Sequence, residues 1–150
     1  MIDMHHRIGI NASVEAVYAA LTTDEGLTKW WTNDVSGAGE VGSTIKFRFN
    51  GGGPDFTVSY LIPNKTVCWK HSGNIPEAWS GTEITFQLKT EDNQTYVNFT
   101  HANWTEPTNF MAHCNMKWAV FLLSLKDALK DALETGTGKP FPNDIQIDHT

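Results

Sequence analysis

The sequence predicts an α+β domain: a strongly curved antiparallel sheet of six strands facing one long C-terminal helix, with two short helices after the first strand. Three observations predict it. Runs between residues 44 and 104 alternate apolar and polar side chains with a period of two, and the turns between them are too short for crossovers. A stripe of apolar residues at helical spacing then runs from Trp118 to Leu133. Near the N-terminus, a first strand is followed at once by an amphipathic helix.

In chain order, "MHHRIGI" reads as the first strand. Ser13 is placed to cap a helix, with Glu15 in the first turn, where the helix dipole favours an acid. Val14, Val17, Tyr18 and Leu21 then form its apolar face. Thr23 caps a second short helix, "DEGLTKW", which Gly26 weakens. Five alternating runs follow. Their apolar sets are Ile45, Phe47 and Phe49; Phe56, Val58, Tyr60 and Ile62; Val67, Trp69 and His71; Ile84, Phe86 and Leu88; and Val97, Phe99 and His101. Gly51-Gly52-Gly53-Pro54, Pro63-Asn64-Lys65 and Glu91-Asp92-Asn93 supply turn chemistry between them. In the last helix Trp118, Phe121, Leu122, Leu125, Leu129, Ala132 and Leu133 face inward, opposite Lys126, Asp127, Lys130 and Asp131. Gly136, Gly138 and Pro140 end it.

A curved sheet does not pack flush against a straight helix, so a space is expected between them. The adjacent Trp30 and Trp31 point the same way. They project in different directions from any regular backbone, so one is expected in the helix–sheet core and the other at the border of a cavity.

Composition narrows the function classes. At 150 residues the chain suits a single domain over residues 1–150. With 40% hydrophobic and 19% charged residues it reads as globular. Seventeen acidic against eleven basic side chains give a net charge of -6, with no basic cluster, which excludes nucleic acid and anionic membranes as expected partners. No basic segment followed by a long apolar run opens the chain, and no segment approaches the roughly 20 apolar residues of a membrane span. A cytoplasmic location without membrane insertion is therefore expected. Cys68 and Cys114 read as free thiols.

Motifs for cofactors fail on context. Gly37-Ala38-Gly39-Glu40-Val41-Gly42 matches GxGxxG, but a strand follows it where dinucleotide binding needs a helix N-terminus. The six histidines include no HxxxH or HExxH pair, so no metal is expected. No carboxylate lies in phase with the apolar face of a central strand, and no Gly-x-Ser-x-Gly elbow presents a serine. No catalytic residue is assigned and no cofactor is expected. His71 and His101 stand apart because both share the apolar phase of their strands. They read either as inert, hydrogen-bonded strand-end histidines or as polar handles in an apolar cavity.

"INASVEAVYAALTTDEGLTKWW", the alternating strands and "MKWAVFLLSLKDALKDALETGTGKPFP" together resemble the START-like proteins grouped with the C-terminal domain of the Hsp90 ATPase activator (AHSA1-like), within the Bet v 1-like, or SRPBCC, superfamily. The resemblance implies a helix-grip fold with a ligand cavity between sheet and long helix. Carried onto this chain, it implies cavity positions at Trp30, Phe47, Tyr60, Trp69, His71, Phe86, Phe99, His101, Trp118 and Leu122. Relatives bind or transform lipids, hormones and polyketides. The expected function is binding of an apolar small molecule with one polar end. The alternatives are a cyclase- or hydrolase-like enzyme using His71 or His101 as general acid/base, and a chaperone-linked interaction module. The eukaryotic activator uses a further N-terminal domain to engage Hsp90, for which 150 residues leave no room, so the Hsp90 partnership is not carried over. Whether the chain is a monomer or a homodimer stays open.

Overall fold

The computed structural model describes residues 1–32, 34–48, 53–73 and 75–134, with side chains as far as Leu129. Strand β1 (Ile2–Ile10) leads into helices α1 (Val14–Thr22) and α2 (Asp24–Thr28). Strands β2 (Asp34–Ser36), β3 (Thr44–Arg48), β4 (Asp55–Ile62), β5 (Thr66–Ser72), β6 (Glu83–Glu91) and β7 (Gln94–Trp104) follow, and helix α3 (Asn109–Glu134) comes last. A 3-10 turn, Glu77–Trp79, lies in the connection from β5 to β6.

The strands form one antiparallel sheet in the order β1-β7-β6-β5-β4-β3-β2. Among the described residues it has seven strands where the sequence predicts six. The extra one is β2, three residues paired to β3 from Asp34↔Arg48 to Ser36↔Lys46. Three residues cannot show an alternation, so pattern reading passes over it.

The hairpin chemistry is as expected. Asp92 and Asn93 both take positive φ (53° and 60°) between β6 and β7, the mirror-image turn that matches strand twist. Asn64 does the same (φ 60°) between β4 and β5. The GxGxxG stretch is a loop from β2 into β3: the Gly42 N–H donates to the Val58 carbonyl at 2.8 Å, and at Gly37 (φ 93°) a Cβ would overlap the Thr44 carbonyl. These glycines serve the turn.

The helix caps also match. Ser13 Oγ accepts from the Ala16 N–H at 3.2 Å, and Thr23 Oγ1 accepts from the Gly26 N–H at 2.9 Å. Gly26 has a steric reason to break the helix pattern. A Cβ there would lie 2.5 Å from the Ala19 carbonyl oxygen and 2.7 Å from Ala20 Cα, so only glycine lets α2 fold back on α1.

Val17, Leu21, Leu27, Ile45, Phe86, Val97 and Leu125 are fully enclosed between the sheet and the helices. Lys126 and Asp127 lie on the exposed side of α3, as their spacing predicts. Phe49, Gly51 and Gly52 lie outside the described residues, as do Gly136, Gly138 and Pro140 and the side chains of Lys130, Asp131, Ala132 and Leu133.

One strand breaks its own pattern. In β4, Val58 pairs with Trp69 but Tyr60 pairs with Cys68, so Ser59 is an extra residue, a β-bulge. Its hydroxyl donates to the Cys68 carbonyl at 3.1 Å. The slip turns every later side chain over, and Tyr60 ends 53% exposed on the outer face. Tyr60 is therefore not a cavity residue.

Candidate functional site

A cavity of about 350 Å³ lies between the sheet and α3. Phe56, His71 and His101 line it from β4, β5 and β7, and Phe110, His113, Cys114, Lys117, Trp118 and Phe121 line it from α3. Trp31 after α2, Pro54 before β4, and Pro76 and Trp79 in the β5–β6 connection complete the wall.

Three of the ten positions implied by the resemblance, His71, His101 and Trp118, are in that wall. Trp30, Phe47, Trp69, Phe86, Phe99 and Leu122 are not. They are 2% exposed or less and form the packed core beneath it. Trp30 differs for a clear reason. Its indole N–H donates to the Ala20 carbonyl at 2.8 Å, and its own carbonyl accepts from the Ser124 hydroxyl at 2.7 Å. It pins α1 to α3. Its neighbour Trp31 turns into the aromatic interior instead, with ring centroids 4.1 Å from Phe47, 4.9 Å from Phe121 and 5.2 Å from Trp118. Both rings are buried, and Trp31 is the one that meets the cavity.

Some wall residues had a signal in the sequence. Phe56 is in phase on its strand and Phe121 is in the α3 stripe. Trp79 had none, since it sits in an irregular connection and reaches the site by stacking on His71 at 4.4 Å and 14°.

The polar end of the site is a chain of hydrogen bonds. His71 and His101 stand on strands separated by β6, yet their Nε2 atoms are 3.2 Å apart. His101 pairs with Ile84 near the start of β6, while His71 lies one residue beyond the last β5–β6 pair, Lys70↔Glu83, so the two rings meet diagonally across the end of β6. The Trp118 indole N–H donates to His101 Nδ1 at 3.2 Å. An indole can only donate, so His101 Nδ1 is an acceptor and the ring's proton is on Nε2. That Nε2 is 3.0 Å from Thr82 Oγ1, whose own proton goes to the Trp79 carbonyl at 2.7 Å. Thr82 is thus an acceptor for His101. His71 Nε2, facing the same N–H, is an acceptor too, which places the proton of His71 on Nδ1.

Burial holds both rings neutral. Desolvation lowers the His71 pKa from 6.5 to about 4. Desolvation, with the adjacent His71 adding to it, lowers His101 to about 3. No group of three His, Cys, Asp or Glu side chains that could hold a metal occurs among the described residues.

A curved antiparallel sheet gripping one long helix around an aromatic cavity defines a helix-grip domain of the START/Bet v 1 type. The chain belongs to the family of Activator of Hsp90 ATPase homolog 1-like proteins, whose model matches residues 11–130. Among solved structures, it is similar to the Aha1 dimer from Colwellia psychrerythraea, with 72% identity and a TM-score of 0.82, over 92% of this chain and 100% of that one. It shares its fold with protein SSP2350 from Staphylococcus saprophyticus (19% identity, TM-score 0.73, 93% of this chain and 98% of that one). It also shares it with CalU16 from Micromonospora echinospora (17% identity, TM-score 0.68, 90% of this chain and 80% of that one). No curated protein matches the chain. No helix among the described residues is long and apolar enough to cross a membrane.

Proposed function

We propose that the chain binds an apolar small molecule with one polar end in the cavity between sheet and α3. The observation that carries this reading is the wall itself: a space of about 350 Å³ bounded largely by aromatic rings, with the hydrogen-bonded His71–His101 pair, His113 and Lys117 as its polar side chains. That volume and lining are typical of small-molecule sites. The binding reading is preferred over a cyclase- or hydrolase-like enzyme because His71, with a pKa of about 4, is a weak proton acceptor at neutral pH. Both cysteines are buried free thiols, which fits the proposed cytoplasmic setting.

Native mass spectrometry of protein purified from its own host tests the reading. A mass increment that disappears on denaturation, and is lost in a variant with the cavity filled (Cys114→Phe), is the expected result. Protein of bare chain mass that also takes up no apolar probe would overturn it.

A homodimer is part of the proposal because the Colwellia structure is described as a dimer. Met116 and Leu123, both about half exposed on the outer side of α3, are the surface proposed for it. Light scattering coupled to gel filtration gives the answer directly: a monomer at high micromolar concentration would remove this element.

A further inference from the structure

We infer that two copies of this chain pair antiparallel through α3, about a two-fold axis between Ala119 and Val120, and that each copy brings its Asp127 to the cavity-lining flank of the other's α3. This deepens the homodimer reading above and rests on it.

A surface helix ordinarily turns one apolar stripe to the core and keeps its other side polar. The first half of α3 does not. Cys114, Trp118, Leu122 and Leu125 are buried on its inner side. At about 100° per residue, Ala112, Met116, Val120 and Leu123 fall within about 40° of one line on the opposite side. Ala112 is exposed, Met116 and Leu123 are about half exposed, and Val120 is partly so. Apolar residues on both sides of a helix call for cover on both sides. The line ends at Asp127, which is exposed.

The charges on α3 say what covers it. Its first turn holds no acid, although the helix dipole favours one there, and its first acid is Asp127. His113 and Lys117, both in the cavity wall, lie on the same flank of the outer line as Val120 and Asp127. A two-fold axis across the helices between Ala119 and Val120 sets Met116 against the partner's Leu123 and keeps like flanks together. It brings the partner's Asp127 beside Ala112 and His113, at the end of α3 that has no acid. A parallel pair would instead set Asp127 against Asp127. One surface thus supplies both halves of the match, as a two-fold interface requires. Among the described residues no Asp or Glu lines the cavity, so the acid at its α3 flank comes from the other copy.

Light scattering coupled to gel filtration, on the full chain and on Leu123→Glu, reads the surface. Leu123 is half exposed, so the variant should keep the circular dichroism of the folded protein. Its dimer dissociation constant should rise by about thirtyfold or more, the scale of an interface hot spot. Asp127→Lys should weaken the dimer several-fold, by less as salt is raised. Disulfide formation reads the direction, in chains whose free Cys68 and Cys114 are replaced by alanine. Chains with Met116→Cys and chains with Leu123→Cys should cross-link when mixed, and neither should cross-link alone. In the antiparallel pair the two copies of residue 116 lie about 10 Å apart along the axis, beyond disulfide reach. Val120→Cys, beside the two-fold axis, should cross-link alone. A dimer that Leu123→Glu leaves unchanged would overturn the α3 surface and leave a homodimer through another face. Cross-linking of Met116→Cys chains alone, with no mixed product, would overturn the antiparallel arrangement. A wild-type monomer at high micromolar concentration would overturn both this inference and the homodimer reading.

Discussion

Acid should unfold this protein earlier than its net charge suggests, because of two buried rings. Folding keeps His71 and His101 neutral down to about pH 4 and about pH 3, whereas in the unfolded chain each titrates near 6.5. Above pH 6.5 neither state binds the proton and the pair has no effect on stability. As pH falls below 6.5 the unfolded chain takes up protons that the folded one refuses, so stability drops. The loss continues until the folded rings themselves protonate. At pH 5 an unfolded histidine is favoured by about RT ln(1 + 10^1.5), or ~2 kcal/mol, so the pair should cost about 4 kcal/mol relative to neutral pH. Against a typical domain stability of about 5–15 kcal/mol, that is a large fraction. Urea unfolding followed by tryptophan fluorescence between pH 7.5 and 4.5 measures it. The comparison is a His71→Gln/His101→Gln variant, whose stability should vary much less over the same range. Parallel curves for the two proteins would refute the reasoning, because the acid sensitivity would then come from other groups.

Other perturbations have similarly definite outcomes. Leu125 is fully enclosed under α3, so Leu125→Ala should cost about 2–5 kcal/mol in thermal or chemical unfolding; a loss under about 0.5 kcal/mol would contradict the packing. Ser13→Ala removes the cap of α1 and should cost ~1 kcal/mol by the same measurement. Trp118→Phe strips His101 of its donor and should cost about 1–3 kcal/mol, and it should free the His101 tautomer, visible as a changed pattern of imidazole ¹⁵N shifts. Calorimetric titration with zinc should give no saturable heat, since no group of three His, Cys, Asp or Glu side chains that could hold a metal occurs among the described residues.

What could be read from the sequence follows from what has a period. The helices, the long strands and their turns announce themselves through spacing and through Ser13, Thr23, Asn64 and Asp92-Asn93, and they were legible. Strand β2 is too short to carry a pattern. The bulge at Ser59 is one extra residue in a strand whose letters still alternate, so nothing in the string marks the point where Tyr60 turns outward. The site was legible by strand phase and failed by depth. Phe47, Trp69, Phe86 and Phe99 do point inward, but alternation fixes a side and cannot say whether the side chain touches another ring or a void. The choice between Trp30 and Trp31 depended on which indole found a carbonyl in α1, a contact ten residues away in sequence. Trp79 lies on no regular element and was invisible.

The sheet order has a consequence for how the chain is made. β1 is made well before its partner β7, with which it pairs from Ile10 opposite Thr95 to Ile2 opposite Trp104. At roughly 5–20 residues per second, that edge waits on the order of 5–20 seconds for its partner to be synthesised. Closing so long a loop also places the β1–β7 pairing among the slow steps of folding. During that interval the apolar face of the α1 segment has no sheet or α3 to cover it, and the hydrogen-bonding edge of β1 is open to any other extended chain. Truncated or stalled nascent chains lacking β7 should therefore be the form of this protein most prone to aggregate.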